Sequence, residues 1–518
     1  MRILILALLV AACVSADLFD LKKSLVVGSL KGLIKQQVNR KIKKTMDRIK
    51  EVFNSNMVDF RKKLSGYKEK ILQKLYLSKE QRNELMERLK MLKRKTIDKV
   101  LPTGDSIEEI NILSKIAGAL FQGDMVLSKE QQEQITADII GTRSKRQTMY
   151  ERGYPGRRWS KGVNYFFDDS ASAQVQSVFK KAAQQWMSDT CINFIPSKFA
   201  QDSIRVFAED GCWSFVGRLG GVQNLSLGQG CESIGTAAHE IGHALGFFHT
   251  HSRYDRDQFI TVDEKNIKPD WLDQFTRETI STNNNYGLTY DYGSLMHYGA
   301  TRSVLMKEQL RSKEDKCIYS ATGNQKPTMV PKDVLYTETL GSPFISYYDL
   351  LMINTHYNCT DACKGKNTPC QNNGFAHPRD CSKCICPSGY GGQYCEKRVT
   401  VSFYDLTNKS LERFFQPPGC GAELEATKEW KPLVDDLGDR KAGLTPREDF
   451  MKCNYWIKAP AGKKIEVKFV DFPDGVAVDG CTYAGVEIKT HPDQRRTGYR
   501  QVFMTMTVGK FVQQQQLL

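Results

Sequence analysis

The sequence predicts an α+β fold preceded by helices and followed by two small disulfide-stabilised modules. Apolar residues recur at helical spacing over the first hundred positions, and strands and helices then alternate around a Gly-rich stretch. Six cysteines next crowd into about 33 residues, and a final block alternates apolar and polar residues. A chain of 518 residues is too long for one hydrophobic core, so several folding units are expected.

Residues 1–16 read as a secretory signal peptide: Arg2, an apolar run from Ile3 to Ala12, and the small-residue ending Val14-Ser15-Ala16. No later apolar run approaches the roughly 20 residues that cross a bilayer. The expectation is a secreted, extracellular chain with no membrane span. Disulfides persist in that compartment, and of fifteen cysteines the loss of Cys13 with the signal leaves 14, an even number that suits a framework of bridges.

The net charge of +15 is concentrated in one region. Residues 17–100 carry roughly 24 Lys and Arg against roughly 10 Asp and Glu, and the remainder is near neutral. The charge therefore describes a removable helical face, and no nucleic-acid partner is expected. Within that region Ile34, Val38, Ile42, Met46, Ile49 and Phe53 mark one face of long amphipathic helices, as in a pro-region that packs on a partner domain. Arg143-Ser144-Lys145-Arg146 is a dibasic stretch where composition changes, which places a boundary and an activating cut by a processing protease near Arg146.

Beyond it, Val163 to Phe167 reads as a strand, Ala171 to Met187 as an amphipathic helix and Ile204 to Phe207 as a strand. The Gly-rich stretch Gly217 to Gly230 then leads to a helix beginning near Ser233. That helix carries His239-Glu240-Ile241-Gly242-His243-Ala244-Leu245-Gly246-Phe247-Phe248-His249. With 3.6 residues per turn, His239 and His243 share a face and reach one ion, Gly246 turns the chain, and His249 returns as a third ligand. Three protein ligands leave a coordination place open, as in a catalytic Zn2+ site, and Glu240 can take a proton from water there. Met296 follows in Ser294-Leu295-Met296-His297-Tyr298, and five of the eight histidines fall between 239 and 297.

With His249-Thr250-His251-Ser252-Arg253-Tyr254-Asp255-Arg256-Asp257 and the Met296 segment, residues 147–359 resemble an astacin-family catalytic domain of the metzincin type. The resemblance implies a zinc-dependent endopeptidase acting on extracellular proteins, with Tyr298 as a fifth ligand in the resting enzyme that swings away to bind the oxyanion. It places Met296 beneath the metal, pairs Cys191 with Cys359 and Cys212 with Cys231, and sets a substrate strand beside Gly211 to Cys231. Thr250 departs from the Glu that many members carry after the third His, so their N-terminal salt link is not expected here.

Phe121-Gln122-Gly123-Asp124 resembles the F-x-G-D motif of astacin pro-regions and implies that Asp124 binds zinc in the zymogen. A carboxylate is an acceptable zinc ligand and Gly123 permits close approach, so the chemistry is sensible without the resemblance. Residues 17–146 are then a helical pro-region. Residues 360–396 resemble an EGF-like module, which implies pairs Cys363–Cys381, Cys370–Cys384 and Cys386–Cys395. Residues 397–518 resemble a CUB-like β-sandwich without its usual fourth cysteine, which reads as truncation and leaves Cys481 without an evident partner. The order resembles nematode astacins and implies matrix, cuticle or eggshell substrates. Asn224, Asn358 and Asn408 open glycosylation triplets, and Arg302 to Ser320, with the odd Cys317, reads either as a solvated surface insertion or as an error of the gene model. The alternative is a silent extracellular scaffold acting through its terminal modules; it would normally have lost a ligand or the Glu, and this chain has lost neither.

Overall fold

The structure, a computed structural model, describes residues 57–92, 97–141, 157–280, 282–301, 326–399, 420–438, 448 and 450–501, and the backbone alone at 507–512 and 514–517. The chain divides into two units, Met1–Asn56 and Met57–Leu518. In the first only Arg40, Lys43, Lys44 and Asp47 are described, all helical. The signal peptide, the dibasic stretch at Arg146, Asn408 and the 302–320 segment with Cys317 lie outside the described residues.

The described part of the expected long helices is three short ones, α1 (Met57–Ser65), α2 (Lys68–Leu75) and α3 (Lys79–Met91). Gly66 ends the first and extended Tyr76 (φ −62, ψ 130) the second. Ser78 then starts α3 afresh: its side chain accepts from Gln81 N while Gln81 Oε1 accepts from Ser78 N. Helix α4 (Ile107–Leu113), strand β1 (Met125–Val126) and α5 (Lys129–Ile140) complete the segment.

A six-stranded sheet forms the centre, built from β1, β2 (Val163–Phe167), β3 (Phe194–Pro196), β4 (Ser203–Phe207), β5 (Cys212–Phe215) and β6 (Val222–Leu227). Its order is β1-β5-β6-β4-β2-β3, parallel except for the β5–β6 pair. α6 (Ala173–Ser188) buries Val175, Val178, Phe179, Ala182 and Trp186, a stripe of helical period, and packs beside α7 (Ile234–Leu245). Trp186 Nε1 donates to Ala238 O at 3.0 Å and Trp159 Nε1 to Ala244 O at 2.9 Å, which fixes the depth of α7 against the sheet. Asn224 is buried inside β6, between β4 and β5, so a glycan has no room there and the expectation of glycosylation at that triplet is corrected.

The bridges Cys191–Cys359, Cys212–Cys231, Cys363–Cys381, Cys370–Cys384 and Cys386–Cys395 pair as the resemblance implies. Cys420 pairs with Cys453, and Cys481 is a buried free thiol. The C-terminal strands β7 (Glu423–Glu425), β8 (Tyr455–Lys458), β10 (Val486–Lys489), β11 (Tyr499–Gln501) and β13 (Gln514–Leu517) form one sheet, and β9 (Lys464–Lys468) pairs with β12 (Thr507–Val512).

Buried cations tie α1 and α3 to the domain behind them. The Arg61 guanidinium lies 2.7 Å from Asp273 Oδ2 and donates to Ala117 O at 3.1 Å and Leu120 O at 2.8 Å. Arg88 donates to Thr261 Oγ1 at 2.8 Å and Pro331 O at 3.0 Å. Removing one partner of such a pair strands the other without water. Arg61→Ala is therefore expected to cost about 3–5 kcal/mol, read as a lower urea midpoint of the uncleaved protein and faster amide exchange across α1–α3. A wild-type midpoint would contradict this role.

Candidate metal centre

Helix α7 begins where the Ser233 side chain accepts from Thr236 N and ends at Gly246, whose φ of +117° belongs to glycine. The turn returns the chain so that His249 faces His239 and His243. Each Nδ1 meets an oxygen: His239 with Leu295 O at 2.8 Å, His243 with Phe247 O at 2.8 Å, His249 with Gln122 Oε1 at 3.0 Å. A carbonyl oxygen can only accept, so each Nδ1 carries the proton and each Nε2 presents a lone pair.

Those lone pairs converge. His239 Nε2 and His249 Nε2 are 3.3 Å apart, Asp124 Oδ2 is 3.1 Å from both, and Asp124 Oδ1 is 3.4 Å from His243 Nε2. One ligand atom from each of Asp124, His239, His243 and His249 lies within 4.8 Å of the others, and all four residues are buried. His243 Nε2 and Asp124 Oδ1 have no hydrogen-bond partner among the described residues. Three unprotonated imidazole nitrogens and a carboxylate around one point repel one another unless a cation sits between them. Three N and one O donor at this spacing suit tetrahedral zinc.

Burial pushes the Asp124 carboxyl up, and it is positive charge on the His249 and His243 side of it that holds it well below the usual carboxylate range. Burial pushes the His249 imidazole down, which keeps it in the neutral form that binds metal. Glu240 is fully buried, and neither carboxylate oxygen finds a partner among the described residues. Burial, with Asp124 nearby, raises it well above a normal Glu. An unpartnered buried carboxyl costs stability, so its retention beside the ligands points to chemistry.

The Tyr298 hydroxyl donates to Asp124 Oδ2, and its ring lies parallel to that of His239. Met296 is buried under α7, where a Cβ at Gly242 would come within 2.7 Å of its sulfur. Of the seven residues singled out in the sequence, Asp124, His239, His243, His249 and Tyr298 thus converge on one point, with Glu240 on the same helix near Asp124 and Met296 beneath that helix. Thr250, at the departure from the resemblance, shares a 2.8 Å hydrogen bond with Ser294 Oγ.

Three contributors went unnoticed in the sequence. Gln122 orients His249. Asn111 donates to Gly123 O and Cys212 O and accepts from Cys212 N, pinning the Asp124 segment to β5. Asp349 accepts from Ser294 Oγ at 2.6 Å and Leu295 N at 2.8 Å, and burial pushes its carboxyl up to about 6. Only Asp349 left a signal, the Ser346-x-x-Asp349 capping box that opens α8 (Tyr347–His356).

The family model of astacin, peptidase family M12A, matches residues 151–358. Zinc metalloproteinase nas-31 of Caenorhabditis elegans is 43% identical over 428 residues, 81% of this chain and 64% of its own length. Zinc metalloproteinase nas-29 of the same organism is 33% identical over 76% of this chain and 71% of its length. The chain therefore spans slightly under two thirds of the first of these relatives. Among solved structures, high choriolytic enzyme 1, a hatching-enzyme zinc protease from Oryzias latipes, aligns with 38% of this chain and 88% of its own at 29% identity and a TM-score of 0.32.

Proposed function

We propose that this chain, which belongs to the astacin family of zinc metallopeptidases, is a secreted endopeptidase of extracellular proteins that is made as a zymogen. The observation that supports it most is the closed four-atom cluster in which Asp124 completes the set made by His239, His243 and His249. Zinc held by the three imidazoles supplies Lewis-acid polarisation of a peptide carbonyl and acidifies water. Glu240, with its raised proton affinity, takes the proton of the attacking water and passes it to the leaving amine. The Tyr298 hydroxyl, which Asp124 engages here, is the donor for the oxyanion once Asp124 departs.

The pro-region blocks two places at once. Asp124 fills the ligand position, and β1 runs parallel along the edge of β5, with Ser214 N donating to Asp124 O at 3.1 Å. A substrate strand would take that same edge. Cleavage near Arg146 by a processing protease is the proposed trigger. Residues 360–396 are read as EGF-like and 397–518 as CUB-like, with matrix, cuticle or eggshell proteins as the substrate class. A silent scaffold has no observation in its favour.

The direct test is hydrolysis of an unfolded protein by the chain cut near Arg146, abolished by a chelator and restored by zinc. Glu240→Gln is expected to keep about one metal per chain and lose about 10²–10⁴-fold in kcat; retention of most activity would remove Glu240 from this role. Tyr298→Phe is expected to lose about 10²-fold as one oxyanion donor. The uncut chain is expected to be inactive with its metal bound, and Asp124→Ala to show activity while uncut. An Asp124→Ala zymogen as silent as the parent would assign latency to another part of the pro-region.

A further inference from the structure

The loop that carries Met296 and Tyr298 is held at both ends by the C-terminal strand domain. Before it, the buried Asp291 carboxylate accepts from Thr497 N at 3.2 Å and from Thr497 Oγ1 at 3.1 Å. After it, Asp479 Oδ2 accepts from Thr301 N at 2.9 Å and from Thr301 Oγ1 at 2.7 Å. Asp291 lies seven residues before Tyr298 and Thr301 three after it.

The fit at these points excludes even a methyl group. A Cβ on Gly293 would lie 2.3 Å from Thr497 Cγ2, and one on Gly299 would lie 2.8 Å from Asp479 Oδ2. On the other side of the joint, a Cβ on Gly480 would lie 1.9 Å from Gly341 O. Three glycines are thus each covered across the junction. Around them Tyr499 donates to Asp333 Oδ2 at 2.6 Å, Arg500 to Ser342 Oγ at 2.7 Å, and Tyr348 to Asp493 Oδ2 at 2.8 Å. A flexibly tethered module would bury neither backbone so closely nor match carboxylates to paired donors.

We propose that the C-terminal strand domain is a working part of the active centre, with Asp479 and Thr497 as positioning residues that clamp loop 291–301 and so hold Tyr298 at its working place. This rests on the role given to Tyr298 above. Asp349 braces the middle of the loop from within the metal-binding domain, and the clamp fixes the ends that Asp349 does not reach. Loss of the clamp frees the ends of the loop, while Asp349 still holds Ser294 and Leu295 and so keeps Leu295 O on His239 Nδ1 and leaves the histidines in place. The expected signature is therefore in turnover and not in metal content.

The test uses the full chain cut near Arg146. Thr497→Val, Asp479→Ala and the double variant are each compared with Thr497→Ser, which keeps the hydroxyl. The first three are expected to lose about 5–20-fold in kcat with KM changed less than about twofold and zinc content unchanged. Amide exchange over 294–301 is expected to quicken about tenfold while α7 stays protected, and Thr497→Ser is expected to behave as the parent on both readouts. A double variant with parental kcat and parental exchange would overturn the clamp, and so would a Thr497→Ser variant as impaired as Thr497→Val. If Asp479→Ala does not fold, Thr497→Val with its serine control decides the matter. Should the parent itself show no metal-dependent hydrolysis, the function proposed above fails separately, and quickened or unchanged exchange at 294–301 still supports or overturns the clamp.

Discussion

Everything at the centre depends on three imidazole protons being held away from one another. Leu295 O, Phe247 O and Gln122 Oε1 each take an Nδ1–H, so three Nε2 lone pairs point to one place. Such an arrangement is unfavourable by itself in a dry interior, and a divalent cation turns that repulsion into binding free energy. The fold supplies the geometry with a rigid helix, a glycine turn after it and a loop beneath it. Each of these is anchored elsewhere, by Trp159 and Trp186 on α7 and by Asp349 under the loop.

In the zymogen proposed above, latency and catalysis use the same atoms. Asp124 occupies the ligand place and engages the Tyr298 hydroxyl, so the groups proposed to hold a transition state are satisfied beforehand. Such mimicry needs a firm backbone, which Asn111 provides by tying Gly123 O to both polar groups of Cys212. Gln122 adds a coupling: it orients His249 and belongs to the proposed pro-region, so on that proposal its removal would free that Nδ1 proton as well. The buried Arg61 and Arg88 pairs spread the attachment over a wide face, so one carboxylate does not carry it alone.

Local spacing carried much of this into the sequence. His239 and His243 lie one helical turn apart, Gly246 needs positive φ, and Ser233 caps the helix, all of which are readable in one segment. Asp124 and Tyr298 came from motif resemblance, because nothing local says that they meet 174 residues apart. Gln122, Asn111 and the Thr497–Asp291 contact were illegible for that same reason: an amide or hydroxyl has no pattern of its own until folding supplies its partner. Between residues 57 and 92 periodicity overstated helix length, since an amphipathic stripe continues across a break that Gly66 and the Ser78 cap impose. Asn224 shows the reverse case, a surface motif by spelling that sits in a buried strand.

The central claim is that the Asp124 carboxylate completes the zinc site until the pro-region leaves. X-ray absorption at the zinc edge, recorded on the uncut chain, on its Asp124→Ala variant and on the cut chain, reads the ligand set directly. Three imidazoles and a carboxylate oxygen are expected in the uncut chain at about the distances of protein zinc ligands, 2.0–2.2 Å, with the carboxylate signature absent from the other two samples. Identical spectra for the uncut chain and its Asp124→Ala variant would contradict it.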